Sequence, residues 1–238
     1  MGAPEMWRTA RLVASKDLRI EWRSRVVANQ VLPFAGLTLV LFAFALDRDD
    51  ITTRVAPGLF WLATTFSLIV LVQRTFAVES ADGALDTLRV AGVDPSGIYL
   101  GKSLALAAQL VVLEALLMLG VIVFYASHVR PAGVVLALIA ALTATCGLAF
   151  VGTLYGGLAA GAKGRETLLP LLLLPVVAPV LIGATRAFEA AFGTRGGDGI
   201  RTGVEVVDGW PWVGLLAVFA AVFGAAGVLA FGPLLEEA

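Results

Sequence analysis

Six apolar runs of about twenty residues constrain this chain more than any other feature. A helical run of that length crosses the ~30 Å hydrocarbon layer of a bilayer. A soluble core, by contrast, breaks its apolar runs every few residues with polar surface positions. The runs fall at 26–46, 56–78, 103–127, 133–159, 168–185 and 210–232. Charged residues make up only 15% of the 238, against roughly 25% in soluble domains, so little is left to solvate a water-facing surface. In lipid every backbone N–H and C=O needs an internal partner, which leaves helices or a closed barrel. The short alternating strands of a barrel are absent. The sequence predicts an all-α polytopic membrane protein with six transmembrane helices, forming one membrane domain over 1–238. The first run is too long and too late to read as a cleaved signal peptide.

Lys and Arg give the orientation. Eleven of the 17 fall on the side of the N-terminus, six of them before the first span: Arg8, Arg11, Lys16, Arg19, Arg23 and Arg25. By the positive-inside rule both termini are expected in the cytoplasm. The net charge of −1 points to no nucleic acid. The single cysteine, Cys146, excludes an internal disulfide and a multi-cysteine metal site. Its apolar surroundings predict a packed thiol.

Before the first span, 5–25 reads as an interfacial amphipathic helix. Trp7, Ala10, Ala14, Leu18 and Trp22 recur at spacings of three and four and share one face. Arg8, Arg11, Ser15, Arg19 and Arg23 form a neighbouring stripe. Such a helix lies flat on the bilayer with Trp among the headgroups and Arg toward anionic lipid. It serves either as a topology anchor or as an elbow that also touches a cytoplasmic partner.

The largest cytoplasmic segment is 79–102. It opens with Glu79, Asp82 and Asp86. Asp82 suits the N-cap of a short helix ended by Gly92, with Leu85 and Leu88 on its apolar edge. Asp94-Pro95-Ser96-Gly97 then reads as a turn. A short amphipathic helix between two spans can slot into a groove on a soluble subunit; the alternative is an ordinary connecting loop. Ser96 to Ser103 imitates a P-loop, with Gly101-Lys102-Ser103 at its end. That motif needs a preceding strand and a soluble α/β domain, and here a transmembrane span follows instead. Lys102 reads as an inside anchor.

Within the spans, Glu114 falls near the middle of the third. A carboxyl there is costly and normally faces protein or water. It is either a protonated acid bonded to another helix or part of a substrate or partner contact. Gly152-xxx-Gly156 and Gly157-xxx-Gly161 allow close helix approach in and just beyond the fourth span. Pro170, Pro175 and Pro179 predict a kinked or partly broken fifth span. His128, the sole histidine, reads as an interfacial polar residue rather than a haem ligand. On the outer side, 186–209 is glycine-rich, with a short amphipathic turn around Phe188 to Phe192. Trp210-Pro211-Trp212 suits an aromatic belt. No catalytic, cofactor-binding or metal-ligating set emerges.

Together these segments resemble the cytochrome c maturation protein B family, CcmB, the membrane subunit of the haem-exporter type ABC transporter. The resemblance covers nearly the whole chain. It is carried most by Glu79, Asp82-Gly83, Leu85-Asp86, Leu88-Arg89 and Gly101-Lys102. Lys16-Asp17-Leu18, Glu21-Trp22-Arg23, Pro57-Gly58-Leu59, Arg165-Glu166 and Leu168-Leu169-Pro170 add to it. It implies a bacterial inner-membrane protein working as a dimer with a separate ATPase, CcmA, and with CcmC, CcmD and the haem chaperone CcmE. ATP would bind the partner and haem would be handled through the complex. Glu79, Asp82, Gly83, Leu85, Asp86, Leu88 and Arg89 would form the ATPase-coupling element. Three other readings stand beside this one: a non-transporting scaffold for haem-maturation partners, a permease of another small ABC exporter, and an intramembrane enzyme using Glu114.

Overall fold

The computed structural model describes residues 3–25, 27–46, 49–82, 92–125, 130–160, 165–193 and 204–237. Every element among them is helical. In chain order they are α1 (Ala3–Ser24), a π-helical turn (Val27–Val31), α2 (Leu32–Ala45), α3 (Asp49–Asp82) and α4 (Pro95–Phe124). A 3-10 turn (Pro131–Gly133), α5 (Val134–Ala160), α6 (Arg165–Phe192), a second 3-10 turn (Val206–Gly209) and α7 (Trp210–Glu237) follow. Six stretches are long and apolar enough to cross a membrane: Val27–Ala45, Thr53–Ala77, Pro95–Phe124, Pro131–Ala159, Thr167–Phe192 and Val206–Leu234.

The helices outrun the apolar runs. α4 starts at Pro95, well before 103, so Asp94 to Gly97 is a helix start and not a separate turn. The Asp94 side chain accepts the Ser96 N–H at 3.2 Å, and Pro95 occupies the first helical position, where its missing N–H costs nothing. Asp82, expected to cap a separate helix, is the last residue of α3. The segment 83–91 lies outside the described residues. α6 continues past 185, so Phe188 and Phe192 belong to a transmembrane helix and are buried. α6 also runs unbroken through its three prolines. Leu169, Leu173, Val177 and Val180 form its buried stripe, while Pro175 and Pro179 are exposed. The missing N–H donors therefore fall mostly away from the core.

α5 is the hub, packed against α3, α4, α6 and α7. Its small residues explain why. Gly152 admits Leu68 and Val72 of α3, Gly156 admits Phe76, and Gly157 admits Phe231 of α7. The window of α3 is 67% buried, whereas those of the first and last spans are 17% buried; α2 and α7 thus leave most of their surface on the outside of the bundle. Cys146, expected to be packed, is exposed on α5. An apolar sequence context cannot distinguish a lipid-facing position from a protein-facing one.

At one end of the bundle, Phe60, Trp61, Phe188 and Phe192 form an aromatic cluster with ring centroids 5.1–5.4 Å apart. There Arg130 donates its main-chain N–H to Ala191 O at 3.3 Å and its Nη1 to Val204 O at 3.0 Å. At the opposite end, α1 runs along α4 in the same direction rather than lying isolated on lipid. Met6 and Thr9 meet Gly97, Ala10 and Val13 meet Gly101, and Ile20 and Glu21 share a cavity with Gln109. The chain then bends at Arg25, a non-glycine residue at φ 52°. The Glu21 carboxylate accepts the Val27 N–H at 2.6 Å, and α2 continues along α4 until Leu39 O accepts the Tyr125 hydroxyl at 2.7 Å.

Candidate functional site

The first turns of α4 gather four other helices. Toward α1 they present Gly97 and Gly101, a close-approach pair at the spacing read in α5. A Cβ at Gly97 would lie 2.7 Å from Thr9 Cβ and 2.9 Å from Met6 O; at Gly101 it would lie 2.6 Å from Ala10 O. Into this seam α1 turns Ala10, Val13 and Asp17, all buried. Lys102 Nζ lies 3.5 Å from Asp17 Oδ2 and 5.1 Å from the centroid of the Phe76 ring on α3. Lys16 Nζ reaches Asp17 Oδ1 at 3.0 Å. Lys102, read from the sequence as an inside anchor, is only 2% exposed; it ties α1, α3 and α4 together.

Beside that pair is a cavity of ≈ 40 Å³ lined by Asp17, Ile20 and Glu21 of α1, Leu71, Arg74 and Thr75 of α3, and Gln109 of α4. It is large enough for an ordered water. Toward α5 and α7, the Tyr99 hydroxyl donates to Phe150 O or Phe223 O, at 3.1 and 2.9 Å. Its ring fills the space a side chain at Gly227 would need. The Ser96 hydroxyl donates to Val228 O at 3.1 Å. Thus α1, α3, α5 and α7 all bear on α4 within two turns of where 83–91 enters it.

The predicted coupling residues precede this junction in the sequence. Glu79 and Asp82 fall in the last turn of α3. Gly83, Leu85, Asp86, Leu88 and Arg89 lie outside the described residues, as do Gly161 and His128. Glu114 sits apart, deeper in the bundle and 5% exposed. The Thr145 hydroxyl of α5 lies 2.8 Å from each of its carboxyl oxygens and 2.7 Å from Ala141 O. Glu114 thus bonds to a neighbouring helix. Sequence reasoning missed Gly97 and Gly101, although their spacing matches the motif it used in α5. It also missed the Asp17–Lys102 pair, for which no local signal exists.

The fold and this junction define a polytopic helical membrane protein whose helices converge on the first turns of its third transmembrane helix. The comparisons narrow that class. The sequence model of the CcmB protein family matches residues 8–226, and the chain belongs to that family. It is similar to Heme exporter protein B of Rhodobacter capsulatus, at 30% identity over 198 residues, covering 82% of this chain and 87% of the relative. Heme exporter protein B of Escherichia coli is 29% identical over 186 residues, 78% and 82% of the two chains. That of Paracoccus denitrificans is 28% identical over 186 residues, 77% and 83%.

Proposed function

We propose that this chain is a membrane permease subunit of a haem-exporter type ABC transporter serving cytochrome c maturation. The observation that carries the reading is the family match along 8–226, with relatives named Heme exporter protein B. We place it as a multi-pass protein of the bacterial inner membrane with both termini cytoplasmic. ATP is hydrolysed by a separate CcmA-like ATPase that docks on the segment before α4, through Glu79 to Arg89. Haem is handled by the complex, with CcmC-like and CcmD-like membrane proteins and a CcmE-like chaperone, and two copies of this chain form the membrane core. Hydrolysis drives haem export or release of the haem-loaded chaperone.

The convergence of four helices on the first turns of α4 supports this mechanism. Closure of the ATPase pair would displace the linker, and α3 and α4 would carry that displacement into the membrane. Nucleotide would then shift the two bundle states through the partner that binds it. The test is a pull-down from detergent-solubilised membranes with tagged wild type and Leu85→Asp/Leu88→Asp. Stoichiometric ATPase recovered with wild type and lost with the variant supports the assignment. An ATPase indifferent to the substitutions places docking elsewhere, and no ATPase at all favours a scaffold.

A further inference from the structure

The geometry points to a binding site for the phosphate headgroup of an anionic phospholipid on the outer face of α1. An open groove of ≈ 340 Å³ there is lined by Leu12, Ser15, Lys16, Arg19, Ile20 and Arg23. Three of the six are basic and none is acidic. Lys16 also reaches back to Asp17, so Arg19 and Arg23, both exposed, supply most of the outward charge. Leu12 and Ile20 in the groove are 62% and 43% exposed, and Trp22 beside it is 83% exposed. Lipid covers such side chains at no cost, and tryptophan favours headgroup depth.

The groove itself singles out which basic residues take part. Arg19 and Arg23 line it, whereas Arg8 and Arg11 do not, so generic attraction of a basic segment to a membrane narrows to one subsite. It rests on the membrane reading alone and not on any transport activity.

The test is native mass spectrometry of the purified full chain in neutral detergent, titrated with phosphatidylglycerol or phosphatidylcholine. Arg19→Gln/Arg23→Gln is compared with Arg8→Gln/Arg11→Gln, two variants of equal charge. All four side chains are exposed, so both proteins should fold, and circular dichroism checks this. Wild type should retain phosphatidylglycerol and not phosphatidylcholine. Loss of Arg19 and Arg23 should weaken retention about 30-fold, the ~2 kcal/mol of two basic side chains near an anionic surface, while loss of Arg8 and Arg11 changes it little. Equal loss in both variants would reduce the site to general charge and overturn the proposal, as would no lipid preference in wild type. Displacement of lipid by millimolar inorganic phosphate would assign the groove to a free anion. Retention of polyglutamate without phosphatidylglycerol would assign it to an acidic protein partner; either outcome overturns the lipid assignment.

Discussion

Replacing Gly101 with alanine should destabilise the protein, against the usual effect of that change in a helix. In an unobstructed helix interior alanine gains about 1 kcal/mol over glycine. Gly36 and Gly214, with nothing within 4 Å of an added Cβ, should follow that rule. At Gly101 the new Cβ would sit 2.6 Å from Ala10 O and 2.7 Å from Val13 Cβ. Neither atom can swing aside, because one is main chain and the other is bonded to it. α1 must retreat, and a gap of roughly 0.5–1 Å forfeits a quarter to a half of each dispersion contact along the seam. Overpacking costs about 1–3 kcal/mol. Main-chain obstruction puts this site at the upper end, and subtracting the propensity gain leaves a net loss of ~2 kcal/mol. For a chain this long that is a fall in Tm of about 4–8 °C. The assay is thermal unfolding in detergent of wild type, Gly101→Ala and Gly214→Ala, with timed trypsin digestion as a second readout. α1 offers Arg8, Arg11, Lys16 and Arg19 to the protease. Gly101→Ala should melt lower and lose α1 sooner, while Gly214→Ala should melt at or above wild type. A rise in Tm for both would refute the docking of α1 on α4 at Gly101.

Three further outcomes are expected. Lys102→Ala leaves the buried Asp17 carboxylate with Lys16 alone and should cost about 1–3 kcal/mol, short of the ~3–5 of a fully stranded charge, whereas Asp17→Leu/Lys102→Met should recover much of that; a double-mutant cycle of unfolding free energies checks both. Glu114→Gln should keep its bond to Thr145 and shift stability by under ~1 kcal/mol. Thr145→Val should cost ~0.6–1.7 kcal/mol, the range for interhelical bonds in membranes, read from the same melts. Gly227→Ala meets the Tyr99 ring and should cost more than Tyr99→Phe, which loses one hydroxyl bond worth about 1 kcal/mol; equal melting temperatures would contradict the packing of α4 on α7.

The membrane spans were legible because lipid imposes one length and one chemistry on a helix. Their extensions were not, because beyond the hydrocarbon a helix may be polar and starts by capping. Asp94-Pro95-Ser96-Gly97 fits a turn or a helix N-terminus equally well, and only the packing of Gly97 and Gly101 on α1 decides between them. The periodicity of α1 was read correctly, but the predicted face was divided. Ala10 is buried against the bundle, whereas Trp7, Leu18 and Trp22 remain exposed. Asp17, omitted as polar, belongs to the buried stripe. The pairing of Lys102 with Asp17 was invisible for the same reason, since a buried ion pair carries no mark in either local sequence. Glu114 was singled out by its position in an apolar run. Its partner Thr145 sits on another helix, at a distance no local pattern encodes.

The parallel course of α1 along α4 sets an order on biosynthesis. About 70 residues of chain separate the end of α1 from the start of α4, so at roughly 5–20 residues per second the docking surface emerges about 4–14 s later. Through that interval the new helix has no seam to occupy, and Ala10, Val13 and Asp17 lie open. Its basic side chains and tryptophans can rest on the bilayer surface meanwhile, holding the N-terminus on its own side of the membrane. Arrival of Gly97 and Gly101 then takes the small-residue face of the helix onto protein, while its basic outer face stays at the membrane surface.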